Sequence, residues 1–360
     1  MKRLSYYVSA ACSIMLAACM SVTMSSCSNE DNPGGGQDTP VAPAAKVIIK
    51  EVNTSGGYKT IADDKNYSWC KGMILYNNSD AAITLKNLAL GSVPPANAHG
   101  VFHSLDDAGN LIYKNAGWMP VWAAIWYIPQ ITIAPYSDAV IAINGAIDHS
   151  QIATGAFDLS DPSYYAMYAP TTSFVNANAY PEPATIPADH IWNAAVFGVG
   201  NAWAISVMCP DLLLFQFPEG IDPAAYCADS SNYWYDGQEK QANTCVKIPN
   251  SWVIDGVETF RIGYETDSHK RLTSDIDAGY SIYNSNKGYS LYRNVDKAAT
   301  EAIADNTGKL VYDYDQAVEG TSEPSGIDAA ASIKNGAKII YQDTNNSTVD
   351  FHLRAGWSLK

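Results

Sequence analysis

The sequence predicts an all-β fold, an antiparallel sandwich with long loop insertions and few short helices, and three observations carry that reading. Short apolar, β-branched runs recur along the chain, each bounded by Gly, Pro, Asn, Asp or Ser. No long apolar period of about 3.6 residues is present, which argues against a helical bundle, and no fixed-period repeat marks a propeller or solenoid. An apolar content of 47% over 360 residues is ample for a core, organised as one large β domain or two smaller ones.

The expected strands follow in order. Lys46–Val52, Gly72–Asn77, Ile83–Leu90, Ile131–Ile133 and Asp138–Ile143 alternate in the way a half-buried strand must. Ala204–Met208, Asp211–Phe217, Trp252–Glu258 and Ser290–Arg293 continue the pattern, and Asp296 to Ala304 is expected to make two helical turns. The domain is placed at 46–360, with insertions around 91–130, 144–203 and 218–245.

The N-terminus sets the compartment. Met1, Lys2 and Arg3 precede an uncharged stretch from Leu4 to Met24, the layout of a secretory signal peptide, placed at 1–26. Its serines, Thr23 and small residues dilute it below what a spanning helix needs, so cleavage is expected rather than insertion. Two cysteines follow small residues as a lipid-attachment site requires. Leu16-Ala17-Ala18-Cys19 matches the usual lipobox, but Cys27 is followed by Ser28-Asn29-Glu30-Asp31-Asn32, an acidic stretch that resembles the export signal of Bacteroidetes surface lipoproteins. Cys27 is therefore the expected acylated residue, with Cys19 the alternative, and a plain secreted protein the blander reading. Residues 27–45, with Gly34-Gly35-Gly36 and Pro33, Pro40 and Pro43, read as a flexible tether to the membrane. The address implied is the outer membrane, lipid-anchored and facing the exterior. Removing Lys2 and Arg3 moves the net charge from −15 to −17, so nucleic acid is excluded as a partner and the acyl group, not surface charge, must hold the chain on its membrane.

Three segments then carry a resemblance. Ile48-Ile49-Lys50-Glu51-Val52-Asn53, Ile74-Leu75-Tyr76-Asn77-Asn78-Ser79-Asp80 and Ile83-Thr84-Leu85-Lys86-Asn87-Leu88-Ala89-Leu90 resemble the opening of the lamin-tail domain, an immunoglobulin-like sandwich. The hairpin Ile131 to Ile141 resembles its next element. Through Val196–Trp203, Trp252–Glu258 and above all Tyr341–Phe351, the mature chain is similar to an uncharacterised family of Bacteroidetes lipoproteins built around that domain. It departs from the pattern at Met73 and Ile74, where an acidic residue is common, and at Asn87-Leu88, which replaces glycine-tryptophan. The resemblance implies an immunoglobulin-like, lamin-tail-like sandwich and a surface address. It implies no chemistry.

Catalytic signatures are absent from the sequence. Cys70, Cys209, Cys227 and Cys245 remain in the mature chain, an even number in an oxidising compartment, which allows two disulfides in three connectivities. A local bridge among the last three is the first reading, and free buried thiols the second. None forms a CxxC pair, so no zinc site or other metal is expected. His99 and His103 would share a helical face, but Pro94, Pro95 and Gly100 place them in a loop. The Gly-x-Ser-x-Gly elbow does not occur, and Gly198-Val199-Gly200 lacks the rest of a phosphate loop and reads as a tight strand connection. Asp275 with Asp277, and Asp313 with Asp315, are read as solvated loop acids ahead of calcium ligands. No cofactor is expected.

Aromatic content is the unusual feature, with 23 Tyr and 9 Trp against 8 Phe. Tyrosine and tryptophan suit surfaces that must stay wet and yet bind. Trp118, Trp122, Trp126 and Tyr127 form the densest cluster, either as one helical face or as an aromatic loop, and Tyr233 with Trp234 add a second group in a segment that a Cys227–Cys245 bridge would pin. They are the candidate ligand contacts, with packing onto the sandwich as core the competing reading. The function expected is a noncatalytic binding or accessory module at the cell surface, taking a small molecule or glycan and working with an outer-membrane transporter in nutrient capture. A surface glycan or peptide hydrolase and a structural or adhesion subunit are the alternatives.

Overall fold

Strand β1, Val47–Asn53, is buried at all seven positions, because it lies inside a curled sheet with side chains packed on both faces. In the computed structural model, which describes residues 47–203, 205–318 and 320–359, ten more strands join it. They are β2 Gly72–Asn77, β3 Ile83–Gly91, β4 Ala124–Ile133, β5 Asp138–Ala142, β6 Tyr165–Met167, β7 Ile191–Val196, β8 Leu212–Gln216, β9 Val253–Val257, β10 Ser290–Arg293 and β11 Phe351–Arg354. The order across the eleven-stranded sheet is β9-β8-β3-β4-β7-β6-β5-β2-β1-β10-β11. The signal peptide, Cys19, Cys27 and the tether lie outside the described residues.

Alternation divides the side chains of this sheet among several cores. On β2, Met73 and Leu75 enter the central core with Val47, Ile49, Leu85, Leu90, Trp126, Ile141 and Leu214, whereas Ile74 and Tyr76 pack outward into two separate clusters. Because β3, β4 and β8 supply the same central core as β1, β2 and β5, the two halves of the sheet face one another across it. The protein is therefore mostly β, one large curled sheet with a few short helices.

A bulge locks the two halves together. The β1–β2 register shifts between Ile49 and Glu51, so Val47 and Ile49 face the core, then Val52, while Lys50 and Glu51 both leave it. The displaced Ile49 N–H donates to Asp255 Oδ2 on the far edge strand β9 at 2.7 Å, and the same carboxylate receives Arg293 Nη2 from β10 at 2.5 Å. Lys50 is buried with its ammonium 2.6 Å from Asp138 and 5.7, 5.9 and 5.8 Å from the ring centres of Tyr76, Tyr292 and Tyr341.

Several expectations are corrected. Ile131–Ile133 is only the end of a ten-residue strand that begins at Ala124, and Tyr165–Met167 and Ile191–Val196 are also sheet strands, so 91–130 and 144–203 are not pure insertions. The sheet is not wholly antiparallel, because β6 runs parallel to both of its neighbours, β5 and β7. Residues 205–208 form no strand: Ser206 turns the backbone by accepting from the N–H of Met208 and Cys209. Asn87 adopts φ 53° at a break in β3, a left-handed position that asparagine tolerates better than most residues.

A three-stranded sheet of Trp118–Trp122, Thr244–Pro249 and Tyr233–Tyr235 lies over the other face of β3 and β8. It comes so close that a Cβ at Gly91 would overlap the Val121 side chain. Thr259–Arg261 and Ser281–Tyr283 make a short parallel pair, and helix Lys297–Glu301 falls within the stretch expected to be helical.

Candidate functional site

Where β10 and β11 end the sheet, the central core opens to the surface as a groove of about 700 Å³. Its floor is Leu291, Phe351 and Leu353, core residues carried on these two strands, and its rim includes Ile282, Val349 and Pro324. Thr321 Oγ1 donates to the carbonyls of Val318 and Leu353, which fastens the 320–324 loop over the edge strand.

The polar groups around this groove are mostly committed to the protein. Ser281 Oγ donates to Ser347 O at 2.7 Å, Thr348 Oγ1 to Tyr280 O at 2.9 Å, and Asn294 Nδ2 to Val349 O at 2.8 Å. His352 is held by Asn294 Oδ1 and by the Tyr314 hydroxyl, each at 2.7 Å, and burial with Arg354 nearby pushes its pKa down to about 3. The imidazole is therefore neutral at physiological pH. Among the described lining residues none carries a charge, so the groove offers an uncharged surface with an apolar floor.

The aromatic residues singled out from the sequence are divided between two sheets. Ala123, at φ 66°, turns the chain from the Trp118–Trp122 strand into β4, so the four-residue spacing never forms a helical face. Trp126 is 0% exposed, stacked on Phe174 at 5.6 Å and against Tyr180 at 5.4 Å, and the assignment of Trp126 as a ligand contact is corrected: its strand points it into the central core. Tyr127, its neighbour, faces the other way and is half-buried against the second core. Trp118 and Trp234 do meet, 5.9 Å apart and each about 6 Å from the buried Tyr113. Trp122 donates its indole N–H to Ala242 O at 3.0 Å, and Tyr233 packs on Phe197.

A profile described as a protein of unknown function (DUF4876) matches residues 134–321. The chain belongs to the DUF4876 family. A solved structure is similar as well: the crystal structure of a DUF4876 family protein from Bacteroides thetaiotaomicron, at 19% identity, covering 86% of this chain and 70% of that one with a TM-score of 0.56. At that identity the match speaks for the fold. No curated protein matches the chain. The family match bears out an uncharacterised family with a member in Bacteroides, the coarser part of the resemblance.

The four cysteines among the described residues of this DUF4876 chain form no bridge. Cys70, Cys209, Cys227 and Cys245 are all free and buried, and the expected disulfide is corrected. Cys70, Cys209 and Cys227 belong to three separate hydrophobic clusters, while Cys245 pairs across the small sheet with Trp122 and Trp234, so the spacing of these residues along the chain brought no pair together. Burial pushes Cys70 and Cys227 up to about 12. Cys209 Sγ lies 3.7 Å from His99 Nδ1 and 3.7 Å from Asn97 Oδ1, a contact that the sequence did not signal. The sulfur is fully buried and its thiol is raised above the ordinary value by that burial, the opposite of what an activated nucleophile needs.

The remaining motifs also resolve. His99 packs on Tyr264, and His103 lies against Gly237, so the two histidines serve different contacts; no group of three metal-ligating side chains converges among the described residues. Asp277 caps Ser347, Gly279 and Glu258 backbone N–H groups, and Asp275 accepts from Asn250, so this pair is structural. Gly198 is needed because a Cβ there would lie 2.6 Å from the Ala123 backbone, as a tight connection requires. Arg271 is enclosed by Glu258 at 2.6 Å and Asp211 at 3.1 Å, and it also donates to the carbonyls of Pro95, Ala96, Cys209 and Thr259.

Proposed function

We propose that this chain is a noncatalytic binding module on the outside of the outer membrane, held there by an acyl group on Cys27 and delivering its ligand to an outer-membrane transporter. The groove bounded by β10, β11 and the 320–324 loop is its site, and the ligand is a neutral, largely apolar small molecule. One observation carries this reading. The groove is roomy and its polar atoms are mostly engaged within the protein, so a ligand gains by removing apolar surface from water rather than by charge. The facing halves of the curled sheet and the left-handed Asn87 support the finer assignment of a lamin-tail-like, immunoglobulin-type sandwich. The hydrolase reading has less support, since the close carboxylates at Asp211, Glu258, Asp255 and Asp350 are all buried in arginine networks.

Titration of the mature chain with the apolar fluorophore N-phenyl-1-naphthylamine tests the site. Val349 stands at the rim and is 45% exposed, so Val349→Asp can place a charge in the groove without disturbing the core. The variant should bind the probe at least about tenfold more weakly, and an unchanged affinity would remove the groove from the proposal. Growth with an alkyne-palmitate analogue tests the anchor: label should be lost in Cys27→Ala and kept in Cys19→Ala.

A further inference from the structure

We propose a second binding site at a different place, a subsite for a neutral saccharide in the cleft beside Tyr168. The cleft holds about 480 Å³, within the size range of small-ligand sites, and shares no lining residue with the groove. Gln130 on β4 and Asn193 on β7 stand on paired strands, Asp189 sits in the short 3-10 turn Ala188–His190 that leads into β7, and Tyr168 and Thr171 come from the segment after β6. Pro129, Pro170 and Ile191 supply the apolar part of the wall.

The polar side chains of this cleft converge on one concavity and are uncommitted. Five surface aspartates, Asp148, Asp158, Asp161, Asp222 and Asp229, are tied into local caps and turns. Around Tyr168, by contrast, the two amides, the Asp189 carboxylate and the Tyr168 and Thr171 hydroxyls have no hydrogen-bond partner among the described residues, although all five line one concavity. A sugar ring has the matching chemistry. Its C–H face suits an aromatic and apolar wall, and its adjacent hydroxyls each donate and accept, which pairs with planar amides and with a carboxylate that takes two donors. The cleft carries one charged group, an anion, on a chain of net charge −15, so neutral sugars are favoured over acidic ones. Paired strands fix the backbone of Gln130 and Asn193, so binding has only their side chains to order.

Saturation-transfer NMR on the mature chain, with methyl α-glucoside, methyl α-galactoside, methyl α-mannoside, maltose and glucuronate as probes, tests the site. At least one neutral glycoside should receive saturation and glucuronate should not. Gln130 and Asn193 are exposed, so the double variant Gln130→Ala/Asn193→Ala should keep the wild-type melting temperature and lose affinity roughly tenfold; Asp189→Ala should do the same. Val349→Asp should leave glycoside binding unchanged, which separates this site from the groove. Silence from every neutral glycoside, equal binding of glucuronate, or full binding by the double variant would each overturn the proposal.

Discussion

Trp126 and Trp118 are the same residue type eight positions apart, yet one is core and the other half-exposed. Removing the Trp126 side chain would leave a cavity beside Phe174 and Tyr180 in the central core, so Trp126→Ala should cost about 3–5 kcal/mol in urea unfolding. A loss below about 1 kcal/mol would show that the indole is not packed as described. The four buried thiols make a separate residue-scale prediction. With Cys27 acylated or replaced, Ellman's reagent should find no fast-reacting thiol in the native chain and four after denaturation without reductant, and two or fewer would restore the disulfide reading.

At the scale of elements, the bulge in β1 is the feature on which the curled sheet depends. It frees Ile49 N–H to reach Asp255 and turns Lys50 into its tyrosine enclosure, so three strands distant in sequence meet through one extra residue. Arg293 bridges β10 to β9 through Asp255 and also reaches Asp343 at 3.1 Å. Arg293→Met would strand the buried Asp255 carboxylate and should destabilise the fold by about 3–5 kcal/mol. The double variant Asp255→Asn/Arg293→Met should regain part of that loss, because it removes the stranded charge while an amide oxygen can still accept from the Ile49 N–H. Equal destabilisation of the single and double variants by chemical denaturation would argue against a bridge between the sheet halves.

For the molecule as a whole, stability should fall in acid partly through one histidine. His352 is neutral in the fold with its pKa pushed down to about 3, against an ordinary value near 6.5 in the unfolded chain. The unfolded state therefore binds the extra proton between these two values. The contribution of His352 is fully present above about pH 6.5 and is lost progressively as pH falls towards 3. His352→Gln should flatten the stability profile in that window relative to wild type, and identical slopes would show that the imidazole is not coupled to folding.

Secondary structure was readable at this scale wherever a strand had one register and clear punctuation. Gly72–Asn77 matches residue for residue, because its β-branched and apolar run is closed by glycine and asparagine. The β content and the scarcity of helix were likewise legible, since period and composition are local properties of the chain. Four-residue tryptophan spacing misled because a strand reads every second residue, and the turn at Ala123 puts Trp122 and Trp126 in different sheets. Tertiary structure alone decided which cysteines lie near one another, that β6 joins two half-sheets in parallel, and that both clefts assemble from segments remote in sequence. Distance along the chain carries no information about distance in space once a sheet curls, so the sequence determined the strands, and the packing of their faces determined the sites.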